Sequence, residues 1–205
     1  MSDIPGQVRR VGVFGGAFDP PHLGHRALAQ AALAQLQLDA LCIIPTGQAW
    51  HKARDLTPAV HRLAMAELAF AGLEGVSVDP RETRRPGASY TVDTLRELHS
   101  EHPQAQLFLI LGQDQAQALT SWHRWEEIPQ LAIICVADRA GFPGGEGAFD
   151  ALLPAVPNAR RLDMPPVDVS ATDIRQHLAN HQSVAPLVFE PVARYIALHH
   201  LYQTA

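Results

Sequence analysis

VGVFGGAFDPPHLGH, residues 11–25, is the stretch whose reading decides the fold. Alternating apolar residues from Val11 to Phe14 predict a buried first strand. The chain then breaks at Gly15-Gly16, turns through Asp19-Pro20-Pro21 and restarts at His22 as a helix carrying Leu23, Leu28 and Leu33. A strand, a tight glycine turn and a helix start gather unsatisfied backbone N–H groups at the positive end of a helix dipole, an arrangement that favours anions. His22 and His25 lie three apart on the first turn, so both imidazoles face the same anion, and Gly24 leaves the helix start bare. The stretch therefore predicts a cradle of backbone N–H groups and imidazoles for a polyphosphate.

Outward from it, Ala40 to Pro45 predicts the second strand and Thr46 to Leu56 a loop holding Trp50, His51 and Lys52. Thr57-Pro58 predicts a capping hydroxyl followed by Pro at the first helical position, with the helix running to about Phe70. Val76 and Val78 predict a third strand, and the polar stretch Asp79 to Ala88 a surface loop with Arg81, Arg84 and Arg85 in solvent. Thr91 to His99 has helical spacing. Leu107 to Leu111 predicts a strand ending at Gly112-Gln113-Asp114, followed to Ile128 by one helix and a short second one carrying both Trp122 and Trp125. Leu131 to Ala137 predicts another buried strand, Asp138 to Ala148 a mobile loop with four glycines, and Arg160 to Met164 a last short strand. Ser170 to Asp173 matches a capping box ahead of a helix to about Leu178, and Pro191 to Leu201 predicts a terminal helix.

Strands alternating with helices imply an α/β fold, a three-layer, doubly wound and mostly parallel sheet in a single domain spanning residues 1–205. Ligands of such sheets lie beyond the carboxyl ends of the strands, where the topology reverses. The composition is 47% apolar and 18% charged, a globular balance. A net charge of −5 argues against a nucleic-acid partner, and no apolar run approaches the length of about 18 to 20 residues that spans a membrane. The expected location is the cytoplasm. Cys42 and Cys135 sit in apolar runs and read as strand residues, and no ligand spacing for a protein-held metal is present. The sequence leaves the oligomeric state open between monomer and homodimer.

The cradle is neither a dinucleotide fingerprint nor a Walker loop, since neither G-x-G-x-x-G nor G-K-[ST] occurs there. What it matches is G-G-x-F-D-P-x-H-x-G-H over Gly15 to His25, with Ser170-Ala-Thr-Asp-Ile-Arg175 near the C-terminus. Together these resemble the nucleotidyltransferase superfamily, whose fold is Rossmann-like and whose two motifs hold the triphosphate of ATP. The segments between them resemble the bacterial nicotinate mononucleotide adenylyltransferases at Ile43-Ile-Pro45, His51-Lys52, Ala88-Ser-Tyr-Thr91, Leu111-Gly-Gln-Asp114, Ser121-Trp122, Arg139-Ala-Gly141 and Val169-Ser-Ala-Thr172. Two places differ from the family pattern: Thr46 to Trp50 lacks its prolines and Asn, and His123 stands where a Tyr is common.

The resemblance implies transfer of the adenylyl group of ATP to nicotinate mononucleotide with Mg²⁺ as cofactor, giving nicotinate adenine dinucleotide and pyrophosphate in the making of NAD. It assigns ATP to Gly15, Gly16, Phe18, His22, His25, Lys52, Gly112, Asp114, Ser170, Thr172 and Arg175, with His22, His25 and Arg175 catalytic. The acceptor falls to Thr91, Asp114, Trp122, His123 and Arg139. The attacking phosphate is already ionised at neutral pH, so catalysis reduces to in-line positioning and charge neutralisation, and no carboxylate cage for Mg²⁺ is needed. Rival readings are a transferase of the same fold acting on nicotinamide mononucleotide or phosphopantetheine, and a regulatory module that binds ATP without chemistry. Local readings compete too. A capping box explains Ser170 and Asp173 without any ligand, packing explains Trp125, and the remaining histidines read as surface residues.

Overall fold

The computed structural model describes residues 9–47, 56–139, 148–164 and 167–203, with side chains 138, 139 and 148 excepted. Its centre is a six-stranded sheet in the order β3-β2-β1-β4-β5-β6: β1 Arg10–Gly16, β2 Ala40–Pro45, β3 Val76–Val78, β4 Gln106–Leu111, β5 Ile133–Arg139 and β6 Arg160–Met164. Every pairing is parallel, which sharpens the expectation of a mostly parallel sheet. The chain builds outward from β1 to β3, then returns to lay β4 on the other side of β1. The reversal thus falls between β1 and β4, at whose carboxyl ends a crevice opens.

Alternation along β1 decides which side chain serves which layer. Phe14 faces a cluster with Leu28, Ala29, Met65, Phe70, Ile174 and Val192, drawn from α1 Leu23–Leu36, α2 Ala59–Phe70, and two late helices, Ala171–Ala179 and Glu190–Leu198. Val11 and Val13 face the opposite cluster with Val92, Leu95, Leu109 and Ile128. Gly12, between them, has no room for a side chain: an added Cβ would lie 2.5 Å from Leu38 Cδ1 and 2.7 Å from Leu41 Cδ1.

Several local expectations are corrected. His22 is not the first helical residue but the N-cap of α1, extended at φ −140°. Pro58 is the N-cap of α2, and the Thr57 hydroxyl makes no cap bond; instead the Thr57 carbonyl accepts from the Arg62 guanidinium at 2.8 Å. The stretch 79–88 is not a solvated loop. It holds α3, Arg81–Arg84, and Arg81 is clamped by Asp79 and Glu101 while Arg85 pairs with Glu97; only Arg84 of the three stands in solvent.

The helix from Thr91 runs on to Glu101 as α4. The stretch after β4 breaks into α5 Gln113–Ala118, two 3₁₀ turns at Leu119–Ser121 and Trp125–Glu127, and α6 Ile128–Leu131, so Trp122 lies between the turns and not on a helix with Trp125. A short helix that the sequence did not signal, α7 Ala148–Leu152, precedes β6; the glycine-rich loop expected before it lies outside the described residues from 140 to 147. The last two helices are α8 Ala171–Ala179 and α9 Glu190–Leu198, the latter ending three residues short of the expected Leu201. Both cysteines are free, Cys135 buried and Cys42 half-buried. Among the described residues no helix is long and apolar enough to cross a membrane.

Candidate active site

A cavity of about 890 Å³ opens at the carboxyl edge of the sheet, over the crossover between β1 and β4. Its walls bring together Gly15, Gly16, Phe18, His22 and His25 from the β1–α1 junction, Thr91 from α4, Gly112 and Asp114 from α5, Trp122 and His123 from the stretch after it, and Ser170, Thr172 and Arg175 from α8. Two expected site residues cannot be placed: Lys52 lies outside the described residues, as does the side chain of Arg139.

At the β1–α1 junction the two histidines stack, with ring centroids 3.7 Å apart. His25 Nδ1 accepts the His22 backbone N–H at 3.2 Å, which fixes its ring over the cap. Gly24 makes the stack possible, because a Cβ there would lie 3.2 Å from the His22 ring and 3.4 Å from Val169. His22 Nδ1 is buried against the start of α1, within the capping box that the His22 and His25 side chains form with each other's backbone N–H. Burial also pushes the His22 pKa down to about 4, since a charged imidazole there loses water. The first N–H of α1, that of Leu23, donates to the Leu187 carbonyl at 3.1 Å, and the His25 N–H turns back to His22. Phe18 holds the floor: it is buried at φ +47°, and its ring packs edge-on against Phe14, Phe70 and His25 and would be 3.1 Å from a Cβ on Gly16.

The late motif meets the early one. Arg175 donates from Nη1 to the Asp19 carbonyl at 2.7 Å and from Nη2 to the Thr172 hydroxyl at 3.0 Å. Ser170 caps α8 by accepting from the Asp173 N–H at 3.1 Å, and its own hydroxyl donates to the Asp173 carboxylate at 2.6 Å. The N-cap bond therefore accounts for Ser170 locally, without the reciprocal half of a capping box, whereas the Thr172–Arg175 pair faces the cavity.

Across the cavity lies a different chemistry. Tyr90 and Thr91 present the N-terminus of α4, whose first N–H groups have no intrahelical acceptor. The Tyr90 ring lies 4.3 Å from that of His123. Trp122 is half-buried along the wall, with its Nε1 lacking a partner among the described residues. Trp125 packs against the second core cluster and does not line the cavity, as the packing reading anticipated.

Sequence reasoning missed the residues that brace these walls. Asp19, 2% exposed, accepts the Tyr202 hydroxyl at 2.6 Å and the Thr57 N–H at 3.3 Å. Arg62, also 2% exposed, sits on the buried stripe of α2 with Met65, Ala66 and Ala69, a charge at a core position that was a legible signal. Glu82 is buried under the wall between β2 and α4. No group of three or more His, Cys, Asp or Glu side chains poised for a metal occurs among the described residues.

Residues 13–177 match the cytidylyltransferase-like family. A protein of Albidiferax ferrireducens named "probable nicotinate-nucleotide adenylyltransferase" is 65% identical over 198 residues, covering 97% of this chain and all of the relative. One of the same name from Methylibium petroleiphilum is 45% identical, covering 95% and 92%. In fold, the chain resembles the solved nicotinic acid mononucleotide adenylyltransferase of Plasmodium falciparum, a complex with NaAD, at a TM-score of 0.81, 17% identity and coverage of 95% and 97%. With the cradle, the late Ser-Thr-Arg motif and this similarity along nearly its whole length, the chain belongs to the cytidylyltransferase-like family and, within it, to the nicotinate-nucleotide adenylyltransferases.

Proposed function

We propose that the enzyme transfers the adenylyl group of ATP to nicotinate mononucleotide, releasing pyrophosphate and forming nicotinate adenine dinucleotide. The observation that carries this reading is the division of one cavity into two chemistries: imidazole, helix N-terminus and guanidinium on one side, a tryptophan face and a second helix N-terminus on the other. The first suits a triphosphate. The second suits a flat ring bearing a carboxylate.

In the reaction an acceptor phosphate oxygen forms a bond to the α-phosphorus of ATP while the bond from that phosphorus to the bridging oxygen breaks. Pyrophosphate leaves with the electron pair. No base is needed, because a phosphate monoester is largely ionised at neutral pH. The residues have to hold two anions in line and offset their repulsion. Gly15 and Gly16 let the triphosphate approach the backbone, and His22 meets the α-phosphate through its imidazole. His25 and the N-terminus of α1 follow the chain of phosphates, and Thr172 and Arg175, with Ser170 and Lys52, take the β- and γ-phosphates. Gly112, whose side-chain direction is open space, and Asp114 receive the ribose. Trp122 lies on the pyridine ring, the first turn of α4 and the His123 backbone receive its carboxylate, and Arg139 takes the acceptor phosphate.

The described residues hold no cluster of three or more His, Cys, Asp or Glu side chains, so Mg²⁺ arriving with ATP would need no protein cage, and it would supply charge neutralisation on the leaving pyrophosphate. The same reading makes the enzyme a single cytoplasmic domain with small-molecule partners. The test is pyrophosphate release from ATP and Mg²⁺ with nicotinate mononucleotide, nicotinamide mononucleotide or phosphopantetheine as acceptor. Turnover is expected with the first and at least tenfold less with the others. Preferred turnover of phosphopantetheine, or ATP binding with no release on any acceptor, overturns the proposal.

A further inference from the structure

The two halves of the cavity are joined by one peptide. Thr46 and Gly47 follow β2, and the Thr46 N–H bonds to the Gly16 carbonyl at 2.8 Å. From below, the buried Arg62 guanidinium donates to the Thr46 carbonyl at 2.6 Å, to the Gly47 carbonyl at 3.2 Å and to the Ala17 carbonyl at 3.0 Å. From the acceptor side, Glu82 packs directly against Gly47, and its carboxyl accepts the Thr94 hydroxyl at 2.7 Å. The Ser89 hydroxyl donates to the Glu82 carbonyl at 3.4 Å. There is no slack in this packing. A Cβ on Gly47 would lie 2.1 Å from the Glu82 carbonyl oxygen and 2.7 Å from Ser89 Oγ. Thr46, Glu82, Ser89 and Thr94 all line the cavity, as do Gly16 and Ala17.

We propose that Arg62 and Glu82, which touch opposite faces of the Thr46–Gly47 segment, are a pair of positioning residues. They hold the glycine turn of the triphosphate side and the α4 start of the acceptor side at a fixed separation. The proposal rests on reading the cavity as the site of both substrates. Its physical basis is that an in-line displacement tolerates little error in the distance between attacking and receiving atoms, so a loose connection between two well-formed half-sites lowers turnover more than binding. Buried hydrogen bonds are costly to leave unmade, and those from the charged Arg62 guanidinium are stronger than neutral ones, which suits these residues to the task.

The test uses the full-length enzyme with Glu82→Ala, Glu82→Gln, Arg62→Lys and the double variant Arg62→Lys/Glu82→Gln. Glu82→Ala is expected to lower kcat about 10- to 100-fold, with both KM values within about threefold. Glu82→Gln, whose carbonyl keeps one acceptor, is expected to recover part of the loss. The double variant is expected to fall no further than the worse single one, because a joint released at one face is already loose. Amide hydrogen exchange supplies a readout independent of turnover: Glu82→Ala should speed exchange across residues 14–19, on the far side of the peptide, and Arg62→Lys should do so across residues 89–94. Effects confined to each variant's own side, single-variant losses that multiply in the double, or a change only in acceptor KM would overturn the proposal. If Arg62→Lys does not fold, exchange across 14–19 in Glu82→Ala decides alone. Absence of turnover in the unmodified enzyme counts against the assigned reaction, and the exchange measurements still judge the clamp.

Discussion

Arg175 and Asp19, 156 positions apart in the chain, meet through a 2.7 Å hydrogen bond from a guanidinium N–H to a backbone carbonyl. The bond ties the C-terminal motif to the turn of the N-terminal one, so each of the two motifs depends on the other for its shape.

Arg175→Ala removes both the Asp19 bond and the link to Thr172, along with a positive charge facing the cavity. The expected outcome is a fall in kcat/KM for ATP of about 10²-fold, with acceptor KM little changed. Arg175→Lys is expected to recover only part of this, because an ammonium cannot donate in two fixed directions as the planar fork does. Pyrophosphate-release kinetics at varied ATP would check both.

His22→Ala is expected to lower kcat about 10²-fold, the scale of losing one preorganised donor. A pH effect accompanies it. The His22 pKa is lowered to about 4 by burial, against an ordinary value of 6.5, so between those values the unfolded chain holds a proton that the folded chain excludes. Stability is therefore intact above about pH 6.5 and declines as pH falls toward 4, by about 2 kcal/mol once partial solvation is allowed for. Urea midpoints measured across that range should fall more steeply for the unmodified protein than for His22→Gln, which does not titrate.

Trp122, proposed to lie on the acceptor's pyridine ring, lines the cavity with a buried N–H that has no partner among the described residues. Trp122→Phe keeps most of the face and loses the N–H; Trp122→Ala loses both. Acceptor KM should rise a few-fold in the first and about 10- to 100-fold in the second, with KM for ATP within about twofold. Equal effects of the two substitutions would assign the contribution to the N–H instead of the ring.

Tyr202→Phe deletes the 2.6 Å hydrogen bond to the buried Asp19 carboxylate. Leaving that oxygen without its donor should cost about 1 to 3 kcal/mol, seen as a melting temperature lower by several degrees. Since Asp19 also anchors Arg175, KM for ATP should rise alongside. A lower melting temperature with unaltered ATP kinetics would show that the C-terminal contact serves folding alone.

Where the sequence could be read, it was read from spacing. Ala40–Pro45 was delimited by its apolar run, Val76–Val78 by its flanking valines, and Ser170 caps α8 as its residue pattern implies, although Asp173 bonds the Ser170 hydroxyl and so leaves the box half made. The reading failed where burial overrode polarity. Arg81 and Arg85 looked solvated because they are cationic, yet Asp79 from the same stretch and Glu97 and Glu101 from α4 pair them. Trp122 and Trp125 looked like one helical face, yet the chain turns between them, with Arg124 at φ +52°.

By itself the sequence determined the parts whose cause is local: the strand–turn–helix that prepares an anion site, the periodicity of the helices, the residue types of the two motifs and through them the family. Only the tertiary structure decided which of those parts meet. It placed β4 beside β1, set Trp122 and Thr91 across from His22, and buried Asp19, Arg62 and Glu82 where their partners lie far along the chain. The reason is physical: a hydrogen bond or a lost hydration shell depends on which groups are brought near in space, and no local pattern of residue types records that for partners so distant in the chain.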